Sequence, residues 1–185
     1  MTPQSAPAAL PPPHRSGRPY SIALVCLGNI CRSPTAEVVL TAKLAAAGLS
    51  DEVVVRSAGT GDWHIGERMH NISAATLTAA GYDATTHRAA LFDVSWFDDH
   101  DLLLAMDSTN HADICTLASD DLMRDRVLMF RSFDALADGD LEVPDPWYGG
   151  AASFEGVLAI VERSADELVA RLTQDLDLRG VTPQA

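Results

Sequence analysis

The sequence predicts an α/β fold of three layers, in which a parallel sheet is covered by helices on both faces. Short apolar runs rich in Val, Leu and Ile alternate along the chain with longer segments whose apolar residues recur at helical spacing. Such apolar runs are typical of parallel strands, because helices bury both sides of the sheet. A chain of 185 residues has room for one such domain, but not for two with separate cores.

The first strand is predicted at residues 20–25, and a helix over residues 34–47 follows it. Ser33 is expected to be the N-cap of this helix, with Pro34 at its first position, where the missing N–H is harmless. Gly48 stands just beyond the last apolar residue, where helices commonly end.

The next two strand–helix units repeat this order. The second strand is predicted at residues 53–57, and Gly81 ends the helix predicted over residues 67–80. The third strand is predicted at residues 101–106, before a helix over residues 109–117.

A fourth strand at residues 126–130 and a long helix over residues 153–173 complete the predicted domain, residues 20–174. Residues 1–19 contain six of the ten prolines and no apolar period, so a disordered Pro/Ala-rich extension is expected there. The polar residues 175–185 are expected to form a flexible tail. One side of the long helix is apolar at near-helical spacing: Phe154, Val157, Leu158, Val161, Ala165, Leu168 and Leu172.

Charge and cysteine content limit the possible function classes. The net charge of −13 argues against nucleic-acid binding, which needs clusters of Lys and Arg, but not against a small phosphate site governed by its local field. No stretch is long and apolar enough for a membrane span, and no signal peptide is recognisable, so no membrane partner is expected. Three cysteines form no disulfide framework, which favours a cytoplasmic protein with free thiols, although export without a signal peptide is left open.

The chemistry is predicted in the loop of residues 26–33, between the first strand and the first helix. Gly28 lets this short connection turn several N–H groups inward, where the positive end of the helix also points, and together they form an anion site. Arg32 adds a planar fork that can hold two oxygens of a phosphoryl group. The same donors favour the thiolate of Cys26, which can attack a bound phosphorus in line. Ser33 can donate to that sulfur when it leaves.

Other phosphate and metal chemistry has no support. The loop lacks the Gly-Lys-Ser/Thr sequence of a nucleotide-binding Walker loop. The histidines have no ligand spacing, and two loop cysteines alone do not make a zinc site. No metal and no cofactor are expected.

Residues 25–34 resemble the active-site signature of the low-molecular-weight protein tyrosine phosphatases. The resemblance extends over residues 21–160 and is closest to actinobacterial members, through residues 57–66 and 87–90. It implies a four-stranded parallel sheet, a phosphate-binding loop after strand 1 and a phosphocysteine intermediate. Proteins that carry phosphotyrosine are the implied substrates, and phosphate or other oxyanions the implied inhibitors.

Asp145, between Pro144 and Pro146, is the candidate general acid. An Asp-Pro pair alone is commonly only a turn. The resemblance matches this segment to the Asp-Pro-aromatic-Tyr loop of the family, and it implies that Asp145 protonates the leaving phenolate and later deprotonates the attacking water.

The aromatic residues Trp63, Trp147 and Tyr148 are candidates for the walls of a pocket that accepts a flat phenyl ring. The resemblance places all three at the pocket rim, with Leu27 and Ile30 alongside.

A polar network is expected to support the loop, since Asn29, Ser57 and His87 correspond by motif to such a network in the family. Cys31 belongs to the same loop. Its spacing from Cys26 suggests a reversible protective disulfide under oxidation; the alternative is that it only packs beneath the loop.

Three other functions have less support in the sequence. An arsenate reductase needs a further pair of cysteines, and only Cys115 follows the loop. Protein arginine phosphatases carry Thr where this chain has Ile30, and an apolar residue favours a phenyl ring over a phosphoguanidinium; this function is kept as the alternative. A catalytically dead binding module is disfavoured, because the thiol, the arginine and the acid are all present.

Overall fold

A computed structural model describes residues 9–178 of the chain. Four parallel strands form one sheet in the order β2-β1-β3-β4: β1 is Tyr20–Cys26, β2 is Val53–Gly59, β3 is Leu102–Ala105 and β4 is Val127–Met129. The helices are α1 Arg32–Ala46, α2 Asn71–Ala79, α3 Trp96–Asp99, α4 Ser108–Leu117, α5 Asp121–Arg124 and α6 Ala151–Leu178, with a 3-10 turn at Phe130–Phe133.

Alternate residues of β1 belong to two different hydrophobic cores, one on each face of the sheet. Ile22 and Leu24 join the core that α1 and α6 cover. Ala23 and Val25 join the other core, together with Phe97 of α3 and residues of α4. The predicted three-layer α/β fold, with helices on both faces of a four-stranded parallel sheet, is therefore confirmed.

The sheet topology places the ends of β1 and β3 together. From β1 the chain moves to β2 on one side, and it then returns to pair β3 with the other side of β1. This reversal creates a crevice at the carboxyl ends of the two strands, the usual ligand position in open α/β sheets. The loop of residues 26–33, hereafter the Cys26 loop, lies at that crevice.

The start of α1 differs from the prediction. The helix begins at Arg32 and its N-cap is Cys31, which makes no side-chain cap bond. Ser33, the predicted cap, instead directs its hydroxyl to the sulfur of Cys26 at 2.9 Å. The Ser33 hydroxyl therefore bonds the sulfur of Cys26 and does not cap the helix.

The start of α2 also differs, because residues 67–70 were predicted to be helical and are not. The carbonyl of Glu67 accepts the N–H of Ala89, and the N–H of His70 is donated to the carbonyl of Ile30. These long-range hydrogen bonds satisfy the backbone without a helix, which therefore begins later, at residue 71.

The described part of the N-terminal extension packs against the domain, in contrast to the expectation for residues 1–19. Pro11 is buried, and its carbonyl accepts the hydroxyl of Tyr20. The His14 backbone N–H is donated to Asp101, and the ring of His14 lies 2.6 Å from the same carboxylate. Apolar and charged side chains thus fix part of a proline-rich segment; residues 1–8 lie outside the described residues.

The C-terminal helix is longer than predicted. Residues 175–178, expected in the flexible tail, form the last turn of α6, and the rest of that predicted tail lies outside the described residues. Within residues 9–178, no helix is long and apolar enough to cross a membrane.

Candidate active site

Cys26 ends β1 and lies at the base of the Cys26 loop, with 3% of its surface exposed. Its sulfur accepts the N–H of Asn29 at 3.3 Å and the hydroxyl of Ser33 at 2.9 Å. Asn29 has a φ of +52°, a left-handed conformation that Asn tolerates better than most residues. Two hydrogen-bond donors therefore converge on the sulfur.

Arg32 is a buried residue of the Cys26 loop and pairs with two carboxylates. The Nη1 group of Arg32 donates hydrogen bonds to Asp107 and to the carbonyl of Val143. Its Nη2 group donates to Asp145 at 3.0 Å. Burial alone would lower the pKa of this guanidinium, but negative charge on Cys26, Asp107 and Asp145 outweighs burial and raises the pKa above its usual value. Arg32 is a permanent cation at the base of the site.

Hydrogen bonds join Asn29, Ser57 and His87, the residues predicted to support the loop. The side-chain amide of Asn29 donates to the hydroxyls of Ser33 and Ser57 at 2.9 and 2.8 Å, and its oxygen accepts the N–H of Ala90. The Nε2 of His87 lies 2.8 Å from the carbonyl of Asn29. The loop is thus held from β2 and from the segment after α2.

Glu37 of α1 joins this network and was not predicted. Its carboxylate accepts the hydroxyl of Ser57 at 2.5 Å and lies 3.6 Å from Nδ1 of His87. The available sequence signal was its place one turn after the loop, on the inner side of the first helix.

The end of β2 lies directly against the Cys26 loop. The N–H groups of Thr60 and Gly61 are donated to the carbonyls of Cys26 and Leu27. A Cβ on Gly59 would lie 2.6 Å from the carbonyl oxygen of Leu27, closer than any real contact. Glycine is required there because two backbones approach each other.

A pocket of about 190 Å³ opens above the sulfur. Its rim is aromatic and open to solvent: Trp63 is 67% exposed, Trp147 44% and Tyr148 97%. The structure therefore places the predicted nucleophile Cys26, Arg32 and the predicted acid Asp145 in one pocket, together with the aromatic side chains expected to contact a phenyl ring. The lining residues are Cys26, Leu27, Gly28, Ile30, Cys31, Arg32, Trp63, His64, Asp145, Trp147 and Tyr148.

Asp145 stands on the loop of residues 143–150, hereafter the Asp145 loop. One carboxylate oxygen accepts the N–H of Trp147 at 3.0 Å, and the other accepts Arg32. The N–H of Val143 is donated to the carbonyl of Met106, which anchors the loop to the end of β3. The side chain of Asp145 is 45% exposed, so solvent reaches its carboxylate.

Cys31 is a second buried cysteine of the Cys26 loop. Burial raises the pKa of its thiol to about 12, although the neighbouring Ser73 hydroxyl acts in the opposite direction. The thiol is therefore protonated at neutral pH and is not a competing nucleophile. The disulfide between Cys31 and Cys26 stays a prediction.

Two histidines that the sequence analysis had set aside lie at the site. His64 lines the pocket, and its Nδ1 lies 2.7 Å from the carboxylate of Glu67. The ring of His70 contacts the ring of Trp147, with 5.3 Å between the centroids. The sequence signal for His64 was its place beside Trp63.

A larger groove, of about 980 Å³, runs along the free edge of β2. Ser57, His87 and Glu37 reach it from the supporting network, but no cysteine lines it. The smaller pocket is lined by the predicted nucleophile Cys26, by Arg32 and by the predicted acid Asp145, so the candidate site is identified by its side chains and not by its volume. Among the described residues, no group of His, Cys, Asp or Glu could hold a metal ion.

Known proteins are similar to this chain in sequence and in fold. The family model of the low molecular weight phosphotyrosine protein phosphatases matches residues 21–178. A low molecular weight protein-tyrosine-phosphatase from Streptomyces coelicolor is 42% identical over 162 residues, covering 87% of this chain and 98% of that protein. Low molecular weight protein-tyrosine phosphatase A from Mycobacterium tuberculosis is 42% identical over 161 residues, covering 83% and 96%. These relatives confirm the likeness to actinobacterial members.

Solved structures agree with these matches. A protein tyrosine phosphatase from Entamoeba histolytica, with Hepes in the active site, has a TM-score of 0.80 at 28% identity, covering 84% of this chain and 98% of that one. YfkJ from Bacillus subtilis has a TM-score of 0.79 at 30% identity, covering 87% and 99%. Sequence, fold and the arrangement around Cys26 lead to the same conclusion: the chain belongs to the low molecular weight phosphotyrosine protein phosphatase family.

Proposed function

We propose that the protein hydrolyses phosphotyrosine in proteins through a phosphocysteine intermediate. The observation that carries this proposal is the convergence of Asn29 N–H and Ser33 hydroxyl on the sulfur of Cys26, beside Arg32 and Asp145. Phosphoryl transfer to a thiolate needs a nucleophilic sulfur, a fixed cation for the phosphoryl oxygens and an acid for the leaving group; Cys26, Arg32 and Asp145 can supply them.

In the first step, the Cys26 thiolate attacks the phosphorus and forms the S–P bond. The bond between phosphorus and the tyrosine oxygen breaks, and protonated Asp145 gives its proton to that oxygen. The Asp107 and Val143 contacts hold Nη1 of Arg32, so its other N–H groups hold the phosphoryl oxygens in the transition state.

In the second step, Asp145 takes a proton from water, and the resulting hydroxide attacks the phosphorus. The S–P bond breaks, phosphate leaves, and the Ser33 hydroxyl stabilises the returning thiolate. No cofactor enters either step. The free thiols of Cys26, Cys31 and Cys115 suit a reducing, cytosolic compartment.

The aromatic rim of the pocket favours an aryl substrate, and a ligand of a relative favours an oxyanion. Trp63 and Trp147 expose flat faces above the sulfur, and Ile30 adds apolar surface, which together suit a phenyl ring. Hepes carries a sulfonate, and it occupies the active site of the Entamoeba histolytica relative. Phosphate and similar oxyanions are therefore the expected inhibitors of this chain.

The test is turnover of p-nitrophenyl phosphate and of phenyl phosphate, with EDTA present, by wild type, Cys26→Ser and Asp145→Asn. Cys26→Ser is expected to be inactive, and Asp145→Asn to lose roughly 10²–10⁴-fold with phenyl phosphate, which needs a proton on its leaving group. Rapid acid quench of the wild type is expected to trap phosphate on Cys26. An active Cys26→Ser protein would overturn the mechanism.

The alternative substrate is phosphoarginine in proteins. Competition between matched phosphotyrosine and phosphoarginine peptides separates the two functions. Ile30 lines the pocket with an apolar side chain, which favours a phenyl ring over a phosphoguanidinium. A higher kcat/KM for the phosphoarginine peptide would replace the proposed substrate class.

A further inference from the structure

The imidazole of His70 lies between the Asp145 loop and α6, and the mechanism above gives it no role. It is stacked on Phe154, with ring centroids 5.2 Å apart and ring planes 8° from parallel. It also contacts Trp147, at 5.3 Å and an angle of 56°. Its Nδ1 is buried and has no hydrogen-bond partner among the described residues. The contacts of this side chain are therefore those of its ring with Phe154 and Trp147.

The backbone of His70 explains why the ring is so well fixed. His70 is the N-cap of α2, a position where Ser, Thr, Asp or Asn commonly bonds the first turn, yet its side chain makes no cap bond. Its N–H is donated to the carbonyl of Ile30 at 2.8 Å. One residue thus joins the Cys26 loop, by its backbone, to the Asp145 loop, by its ring.

A second histidine touches the same tryptophan. The centroid of the His64 ring lies 6.1 Å from that of Trp147, and Glu67 holds the Nδ1 of His64. Trp147 is half-exposed, and the rings of His64 and His70 both pack against it.

The position of Trp147 matters because its backbone N–H binds the acid. That N–H is donated to one carboxylate oxygen of Asp145 at 3.0 Å, while Arg32 binds the other oxygen. A shift of the Trp147 ring would move the N–H and turn the carboxyl. Misplacement of a reacting group by about 1 Å can cost on the order of 10²-fold in rate.

We infer that His70 is a positioning residue for proton transfer by Asp145, acting through Trp147. The ring of His70, supported by Phe154, holds the indole, and the N–H of Trp147 then aims the carboxyl at the leaving oxygen. This inference rests on the proposed function, since it takes Asp145 as the general acid.

The test is kcat/KM for a series of aryl phosphates, because this constant reports formation of the phosphocysteine. His70→Ala is expected to lower kcat/KM about tenfold with phenyl phosphate and to change it less than about twofold with 2,4-dinitrophenyl phosphate, whose leaving group needs no proton. His70→Phe keeps a flat ring and is expected to retain wild-type values. His111→Ala, on α4, controls for loss of a histidine.

A double-mutant cycle tests the route through Trp147. In a Trp147→Ala background, His70→Ala is expected to have no further effect, because the ring that it holds is gone. Independent, multiplicative losses would overturn the inference, as would equal losses with both leaving groups. If His70→Ala does not fold, as judged by circular dichroism, His70→Leu takes its place in every comparison, because it fills the space without a flat ring.

Asp145→Asn separates failure of this inference from failure of the proposed function. If the loss of kcat/KM in Asp145→Asn depends on the leaving group and the loss in His70→Ala does not, only the role inferred for His70 is wrong. If Asp145→Asn itself shows no dependence on the leaving group, Asp145 is not the general acid and both proposals fail.

Discussion

Arg32 and Asp107 form an ion pair in which Nη1 and Oδ2 are 2.5 Å apart, at the junction between the Cys26 loop and the end of β3. Asp107 also accepts the N–H of Asn110 as the N-cap of α4. A rigid helix terminus thereby fixes one side of the guanidinium, and its remaining donors can face the pocket.

Replacement of that carboxylate is expected to impair catalysis more than folding. Asp107→Asn keeps a capping side chain but removes the charge that holds Nη1, so kcat/KM for p-nitrophenyl phosphate should fall about tenfold or more. Steady-state kinetics measure this. Asp120→Asn, at the N-cap of α5, is the matched control and should be unaffected. Equal kinetics for the two variants would contradict a role for the ion pair.

Glu37 is expected to stabilise the network beneath the loop. Glu37→Gln removes the anion that accepts the Ser57 hydroxyl and faces His87, so the free energy of unfolding should fall by about 1–2 kcal/mol. The inhibition constant of phosphate should rise, because the loop loses its support. Urea denaturation and inhibition assays test both effects. Glu167→Gln, in a surface ion pair on α6, should change neither.

Gly59 is expected to tolerate no side chain. Gly59→Ala would push a Cβ against the carbonyl of Leu27, so kcat/KM should fall by at least about tenfold as the Cys26 loop shifts. Gly156→Ala is the control, because a Cβ there meets nothing within 4 Å and α6 gains a better helix former. Wild-type activity in Gly59→Ala would show that the loop can move without loss.

Stability is expected to fall in acid as the buried carboxylate of Asp134 is protonated. Hydrogen bonds from Arg163 lower the pKa of Asp134 below its usual range, despite burial. Since the folded pKa lies below the unfolded value of about 3.9, the stabilisation is present at neutral pH and is lost as pH falls through the folded pKa.

Asp134→Asn should therefore lower the free energy of unfolding by about 2 kcal/mol at pH 7, a figure reduced because Arg163 is partly exposed. The difference from wild type should shrink below about pH 4. Urea denaturation at both pH values measures this. Asp140→Asn, an exposed partner of Arg131, is the control. A difference that stays constant with pH would contradict the assignment.

Local chemistry in the sequence was enough to predict the core of the candidate site. Cys26, Arg32 and Ser33 lie in one short loop, and strand–helix alternation placed that loop at the carboxyl end of a strand. Asp145 needed the resemblance to the Asp-Pro-aromatic-Tyr loop of the family, because an Asp-Pro pair alone is commonly only a turn. The fold class followed from periodicity, since burial on both faces of a parallel sheet leaves a strong apolar pattern.

Only the tertiary structure decided which other residues serve the loop. Twenty-six acidic residues and six histidines compete for such roles, and the sequence does not distinguish Asp107, Glu37 or His70 among them. Their partners lie on other elements, and packing alone brings them together. The non-helical residues 67–70 have the same cause: hydrogen bonds to Ile30 and Ala89 outweigh local helix propensity. The sequence by itself determined the chemistry of the loop, and long-range contacts decided what positions it.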